Sequence, residues 1–356
     1  MWKRVAGMGD GDARARAEES EVYVAALRLV NKSRLMFYKA VQELMVKYDI
    51  PTGLSTSNYD TWTVVDERSL DEHPGYWRIE LVSKKLRVTD DWQDQVDKVF
   101  TLVTDNCDVL LTTGCSMHIH VSPGPTSNDK YQIHQLQSIL KAISVYDMAI
   151  TSVMPADRKA NPYAESDFAP IREQGYMAYK TVLPELLTAF IGVPQSGWDP
   201  VFKQFDATKN IQATSIHGLF FRNRYLSWNF SNLASECGTI EFRRPPGCQD
   251  AATAKHWVAF TLAFIVNAIT TNWKETPYRT YGTVDQLSKF AANGQRLLPR
   301  TCHALRQDLL RPNDAVVVRY SKEEMTTINR KKEAQKDKMS SFVIKLNSRP
   351  NSPTDQ

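Results

Sequence analysis

Much that would label this 356-residue chain is missing from it. Its start, MWKRVAGMGDGDARARAEES, carries basic residues with no apolar stretch behind them, so it does not read as a secretory signal. No apolar run reaches the roughly 20 residues of a membrane span. The longest, Trp257 to Thr270, contains Asn267 and reads as a buried core helix. The five cysteines (Cys107, Cys115, Cys237, Cys248, Cys302) show no C-x-x-C pairing. That excludes the common zinc and redox spacings and fits reduced thiols in a cytoplasmic protein. Neither sign of charge dominates, with 44 Lys+Arg against 40 Asp+Glu, too even a balance for a dedicated nucleic-acid binder. G-x-x-x-x-G-K-[ST] is absent, so a nucleotide would not be held by a P-loop, and G-x-S-x-G is absent too. Neither a membrane nor a nucleic acid is an expected partner.

What is present suffices for a sizeable core: 42% of the residues are hydrophobic and 10% aromatic. Residues 1–17 read as a flexible leader, 18–311 as one folded domain, and 312–356 as a charged extension, partly disordered at its end. From Glu18 to Tyr48 apolar residues recur at helical spacing until Pro51 and Gly53 stop them. Strand-like runs follow at Trp62–Asp66 and Tyr76–Ser83, then a helix over Asp91–Leu110, a strand at Met117–Ser122 and a helix over Asp129–Val153. Beyond a Pro-rich middle with a helix near Thr181–Ile191 come strands at Tyr225–Phe230 and Thr239–Arg243, then the apolar helix from Ala251 to Thr270. Ser321–Ser340, charged all round, reads as a solvated helix. Strands and helices without β-α-β alternation predict an α+β fold.

Side chains two apart share a face of a strand. In Met117–Ser122, His118 and His120 therefore point one way while Ile119 and Val121 point into the core. A pair of imidazoles on one face suits a metal or a phosphate, and also arises by accident. In Gly238–Arg243, Glu241 and Arg243 share a face opposite Ile240 and Phe242. Such a pair is either a structural ion pair or an oxygen donor beside a phosphate-binding fork. Glu80 sits between Ile79 and Leu81, where an acid needs a partner or a solvated cleft. The shared parity predicts that Glu80, His118, His120, Glu241 and Arg243 converge on one concave face of a single antiparallel sheet.

Cys115–Ser122 resembles the M-H-x-H-x-S strand of glutamine synthetase-like ligases, and Gly238–Arg243 resembles their I-E-F-R strand. The order of pieces is similar to the amidoligase family, common in fungi. It runs Trp62–Asp66, Ile79–Ser83, the HIHV strand, Met154-Pro155-x-x-Arg158, a strand ending near Asn229, then TIEFR and an apolar helix. The resemblance implies a curved antiparallel sheet forming a funnel, with helices on its convex back. It implies ATP- and Mg²⁺-dependent joining of a carboxylate, on an amino acid, peptide or related small molecule, to an amine through an acyl phosphate. It further implies Glu80, His118 and Glu241 as metal ligands, with Glu80 and Arg243 catalytic. His120, Arg243, Arg158 and Asn229 would contact nucleotide phosphate or substrate. For Arg158 and Asn229 the plain alternatives are a surface arginine and a strand-end asparagine.

One departure stands out. Family members open with a G-x-E-x-E strand, whereas here the early E-x-E, Glu19-Ser20-Glu21, runs into helical spacing. A truncated start or a degenerate ligase is expected, with weak binding of Mg²⁺-ATP. Two other readings stay open: a non-catalytic relative that binds a nucleotide or peptide, and a metal-dependent hydrolase using the HxH pair.

Overall fold

A computed structural model of the chain describes residues 35–53, 59–67, 69–126, 128–167, 184–208, 224–234, 238–275, 280–317 and 320–332. The expected leader, the early E-x-E and the last residues lie outside these. The chain divides into two compact units: residues up to Leu86 with Thr101–Asp108, and Arg87–Phe100 with everything from Val109 onward.

In the first unit the helix expected to end at Tyr48 is present over residues 35–47 (α1). It buries Val41 and Met45, four apart on one stripe. Two four-residue strands follow, β1 (Thr63–Asp66) and β2 (Ile79–Val82), paired antiparallel with Val65 opposite Glu80. The turn between them uses Gly75 at φ 84°, a conformation open to glycine. Helix α2 (Trp92–Asn106) is cut by the division between units. In the first unit its last turn holds Tyr48, whose hydroxyl donates to Asp105 at 3.1 Å.

The second unit carries a three-stranded antiparallel sheet in the order β3 (Ile119–Val121), β5 (Ile240–Phe242), β4 (Trp228–Asn229). Its helices are α3 (Ile133–Val153), α4 (Ala156–Lys159), α5 (Pro184–Ile191), α6 (Val193–Ser196), α7 (Asp199–Asp206), α8 (Ala251–Thr270) and α9 (Val284–Arg296). Residues 322–332 form a further helix, α10.

Helix α8 starts where Asp250 accepts the Thr253 amide at 2.7 Å, and α9 where Thr283 and Gln286 cap one another. The apolar face of the sheet packs on α8: Trp228 stacks on Phe242 at 4.3 Å and on Phe264 at 5.1 Å. Burial of each such ring contributes roughly 1.5–3 kcal/mol. Longer than the apolar run, α8 has 20 residues and is apolar enough by length and composition to cross a membrane. Phe260, Ala263 and Phe264 are nonetheless fully buried within the fold. Gly294 of α9 lies against the Ala263 backbone, so close that a Cβ there would overlap it.

The architecture is α+β, with small antiparallel sheets. It differs from the expectation in one respect: the described ladders form two sheets, β1–β2 and β3–β5–β4, rather than one. Alternation tells which face a side chain takes. It does not tell which strand is the neighbour, because pairing is decided by backbone hydrogen bonds between distant segments.

Candidate active site

The register of the three-stranded sheet puts His120 opposite Glu241, and Glu241 opposite Asn229. All three stand on the face away from Ile119, Phe242 and Trp228, as the alternation predicts. His118 enters just before β3 and Arg243 leaves just after β5, each keeping its parity. The structure thus brings together His118, His120, Glu241, Arg243 and Asn229.

Glu241 is the hub. It is 3% exposed, and both carboxylate oxygens are engaged. Arg243 Nη1 donates to Oε1 at 2.5 Å, and Asn229 Nδ2 donates to Oε2 at 2.7 Å. His118 Nδ1 and His120 Nε2 lie 3.5 and 3.6 Å from the same Oε1. Burial pushes the carboxyl up, but Arg243, the two imidazoles and the Asn229 amide outweigh it and hold it below its usual range. His118 is pushed down to about 3, first by burial and then by the Arg243 guanidinium. His120 is lowered as well, with burial the larger cause. Both imidazoles are therefore neutral near pH 7, with a lone pair on one nitrogen.

The supporting contacts come from several segments. Ser116 Oγ is 3.0 Å from His118 Nε2, and Thr239 Oγ1 is 3.2 Å from His120 Nδ1. Asn229 is itself fixed by Ser231, whose amide and hydroxyl donate to its Oδ1 at 2.9 and 2.7 Å. Arg243 Nε reaches the Tyr163 carbonyl at 3.4 Å. Among the described residues Nη2 of Arg243 makes no hydrogen bond, which leaves half of the guanidinium fork for a ligand.

Arg158 is not a surface arginine. It is 1% exposed, and its Nε and Nη2 donate to the carbonyls of Arg244 and Arg243 at 3.1 and 2.8 Å. Burial, with the Arg244 and Arg243 charges, pulls it down to about 10 against the Asp157 carboxylate. In this structure it braces the chain leaving β5 and reaches the site through backbone. Glu80 belongs to the two-stranded sheet of the other unit, half-buried opposite Val65.

Ser116 and Thr239 were not picked out from sequence, although the same parity rule, carried one step further along each strand, finds both. Tyr163, in a loop, and Asn232, in the short 3₁₀ turn Ser231–Ala234 with its amide 3.4 Å from His120 Nδ1, carry no such signal. A cleft of about 470 Å³ opens at the Pro246 end of the sheet, lined by Thr112, Cys115, Asp157, Gly247 and Asp250 among others. Cys115 adjoins Ser116, the partner of His118.

Chemically, this face offers a guanidinium fork, two neutral imidazoles and one carboxylate, a set suited to an anionic, planar or tetrahedral group. It suits Mg²⁺ poorly. That ion wants near-octahedral oxygen ligands, and the carboxylate here already has both oxygens engaged by cationic or amide N–H groups. Among the described residues no three His, Cys, Asp or Glu side chains are grouped to hold a metal ion.

A family model described as putative amidoligase enzyme matches residues 31–265. That span holds β1 to β5, every site residue above and most of α8. No curated protein and no solved structure gives a significant match.

Proposed function

The chain belongs to the amidoligase family, and from that membership we propose that it is an amide-forming ligase acting on a carboxylate and an amine. The observation that carries this reading is the convergence of Arg243, His118, His120 and Glu241 on one face of a single sheet, built from segments far apart in sequence.

In the reaction proposed, a substrate carboxylate oxygen attacks the γ-phosphorus of ATP, ADP leaves, and an acyl phosphate forms. The amine nitrogen then attacks the acyl carbon, the C–O bond to phosphate breaks, phosphate leaves, and the nitrogen sheds a proton. Arg243 suits the clamp on the transferred phosphoryl group. Its Nη1 is held by Glu241 and its Nε by a carbonyl, so Nη2 is aimed without further ordering. His120, with 44% of its side chain exposed, suits a contact to the nucleotide phosphates. Glu241 and Asn229 act as positioning residues for the fork. ATP and Mg²⁺ are the proposed cofactors; with both Glu241 oxygens engaged, the ion would come with the nucleotide rather than bind to this carboxylate. The three-stranded sheet is proposed as part of a glutamine synthetase-like funnel, and the cleft beside Cys115 as a place for a small molecule or peptide carrying the carboxylate.

A second reading is favoured by the closed Glu241–Arg243–Asn229 arrangement: a non-catalytic relative that binds a nucleotide or peptide, with the pair serving only structure. Incubating the protein with Mg²⁺-ATP, a mixture of amino acids and hydroxylamine separates the two. Amine-dependent ADP release with hydroxamate formation is expected of the ligase. ATP binding with no ADP release supports the second reading and overturns the first.

A further inference from the structure

Residues 321–332 carry six charged side chains, and one of them is drawn largely out of water. Lys332, the last described residue of α10, has 13% of its side chain exposed. Its ammonium lies 4.5 Å from the ring centroid of Tyr225 and 5.4 Å from that of Tyr163. It donates to the Pro162 carbonyl at 2.6 Å and lies 3.4 Å from Glu165 Oε1. The two rings meet edge to face at 5.8 Å. Removing an ammonium from water is costly unless charge, carbonyl and π-face replace the lost hydration. All three replacements are present.

The walls of this cage belong to the folded body. Glu165 pairs its backbone with the strand leading to β4: its amide donates to the Tyr225 carbonyl at 2.8 Å, and its carbonyl accepts from Ser227 at 2.7 Å. The Tyr163 carbonyl receives Arg243 Nε. The cage therefore abuts the guanidinium that we assign to the transferred phosphoryl group. The helix that carries the occupant, by contrast, is mostly exposed. In residues 321–330 no side chain is buried, and only Met325 and Ile328 are half-buried. Apolar packing over 321–330 does little to seat α10, so Lys332 is an occupant of the cage rather than part of its wall.

We propose that Tyr163, Tyr225 and Glu165 form a binding site for a primary alkylammonium, the amine partner of the ligation, and that Lys332 fills it in cis. The role as co-substrate site rests on the ligase reading; the ability to bind an alkylammonium does not. The surroundings also suit an amine that must lose a proton before it attacks. Burial, followed by the Arg243 charge, lowers the Lys332 ammonium from its usual range against the opposing pull of Glu165. The same cage would act on an incoming amine.

Binding of Nα-acetyl-lysine amide, followed by calorimetry without nucleotide, tests the site on the full chain. Lys332→Ala should bind it at least about tenfold more tightly than the unaltered chain, because the competing ammonium is gone. Adding Glu165→Gln or Tyr225→Phe/Ala changes separates the wall from general effects. Glu165→Gln and Tyr225→Ala should each reverse most of the gain, whereas Tyr225→Phe, which keeps the ring, should retain it. The ε-acetylated analogue, with no charge, should not bind. A folded Lys332→Ala protein that binds no better than the parent, or binds the acetylated analogue equally well, overturns the site. Binding as described with no ADP release under any amine would leave the site standing and remove the ligase reading instead.

Discussion

The two sheets carry polar side chains of similar type on very different foundations. In β5 every residue is buried, and Glu241 is held from three sides by Arg243, Asn229 and the imidazoles. In β2 every residue is half-buried, and its neighbour Arg78 reaches Asp66 at 3.8 Å and the mostly exposed Glu72 at 3.4 Å. A charge becomes chemically useful when its surroundings are dry and its partners are fixed. By that measure the three-stranded sheet has the makings of a site, whereas in the two-stranded one only Thr63 and Val64 of β1 are buried and Glu80 stays half-buried.

The comparison can be broken at its foundation first. Phe242→Ala removes a fully buried ring stacked between Trp228 and α8, and should destabilise the protein by about 3–5 kcal/mol in chemical denaturation. Val82→Ala in half-buried β2 should lose no more than about 1 kcal/mol. Equal losses would mean the two sheets are equally well founded.

Next comes the polar face. Arg243→Lys replaces a planar fork with a point charge and should lower ligase turnover by on the order of 10²–10³, with little change in folding. A lowered melting temperature with unchanged turnover would instead make the Glu241 pair purely structural.

The second unit should also respond to acid through a buried histidine outside the Glu241 cluster. His256 of α8 is fully buried, accepts the Arg306 amide at 2.9 Å, and is pushed down to about 4 by burial and then by Arg306. Its folded value lies below its ordinary 6.5, so the unfolded chain gains the proton first. Stability is full above about 6.5 and falls as pH drops towards 4. His256→Asn can still accept the Arg306 amide and should reduce that slope, the remainder belonging to His118 and His120. An unaltered slope would place the titration elsewhere.

The smallest effect belongs to the hairpin. Glu72→Ala removes an exposed partner of Arg78 and should shift stability by less than about 0.5 kcal/mol. A loss above 1 kcal/mol would show that the β1–β2 unit relies on charge more than its exposure suggests.

What was legible in the sequence was what local periodicity encodes. All five strands fall inside the runs read from alternation, and His118, His120, Glu241 and Arg243 take the expected face. The limits lay in non-local pairing. Tyr225 reads as strand, yet the segment before Trp228 pairs in parallel with Glu165, some sixty residues away, and leaves only two residues in β4. Arg158 reads as a surface or ligand arginine because nothing near it announces that the carbonyls of Arg243 and Arg244 are its partners. Helix α9 is hard to read for a different reason. Its signal is the Thr283-x-x-Gln286 box, a short local feature that weighs little beside the apolar run of α8.

The close approach of Gly294 to the Ala263 backbone has a consequence for variation in this chain. Two helices that touch with only a hydrogen between them form a hinge pin with no clearance. A single methyl at 294 must push α9 outward, carrying Phe290 off Tyr146 and Phe264, whose ring centroids lie 4.8 and 5.4 Å away. Phe264 in turn supports Trp228, the floor under Asn229. The slightest enlargement where α9 meets α8 is thereby converted into tilt at the polar face, so a substitution there can detune chemistry while leaving every polar residue in place.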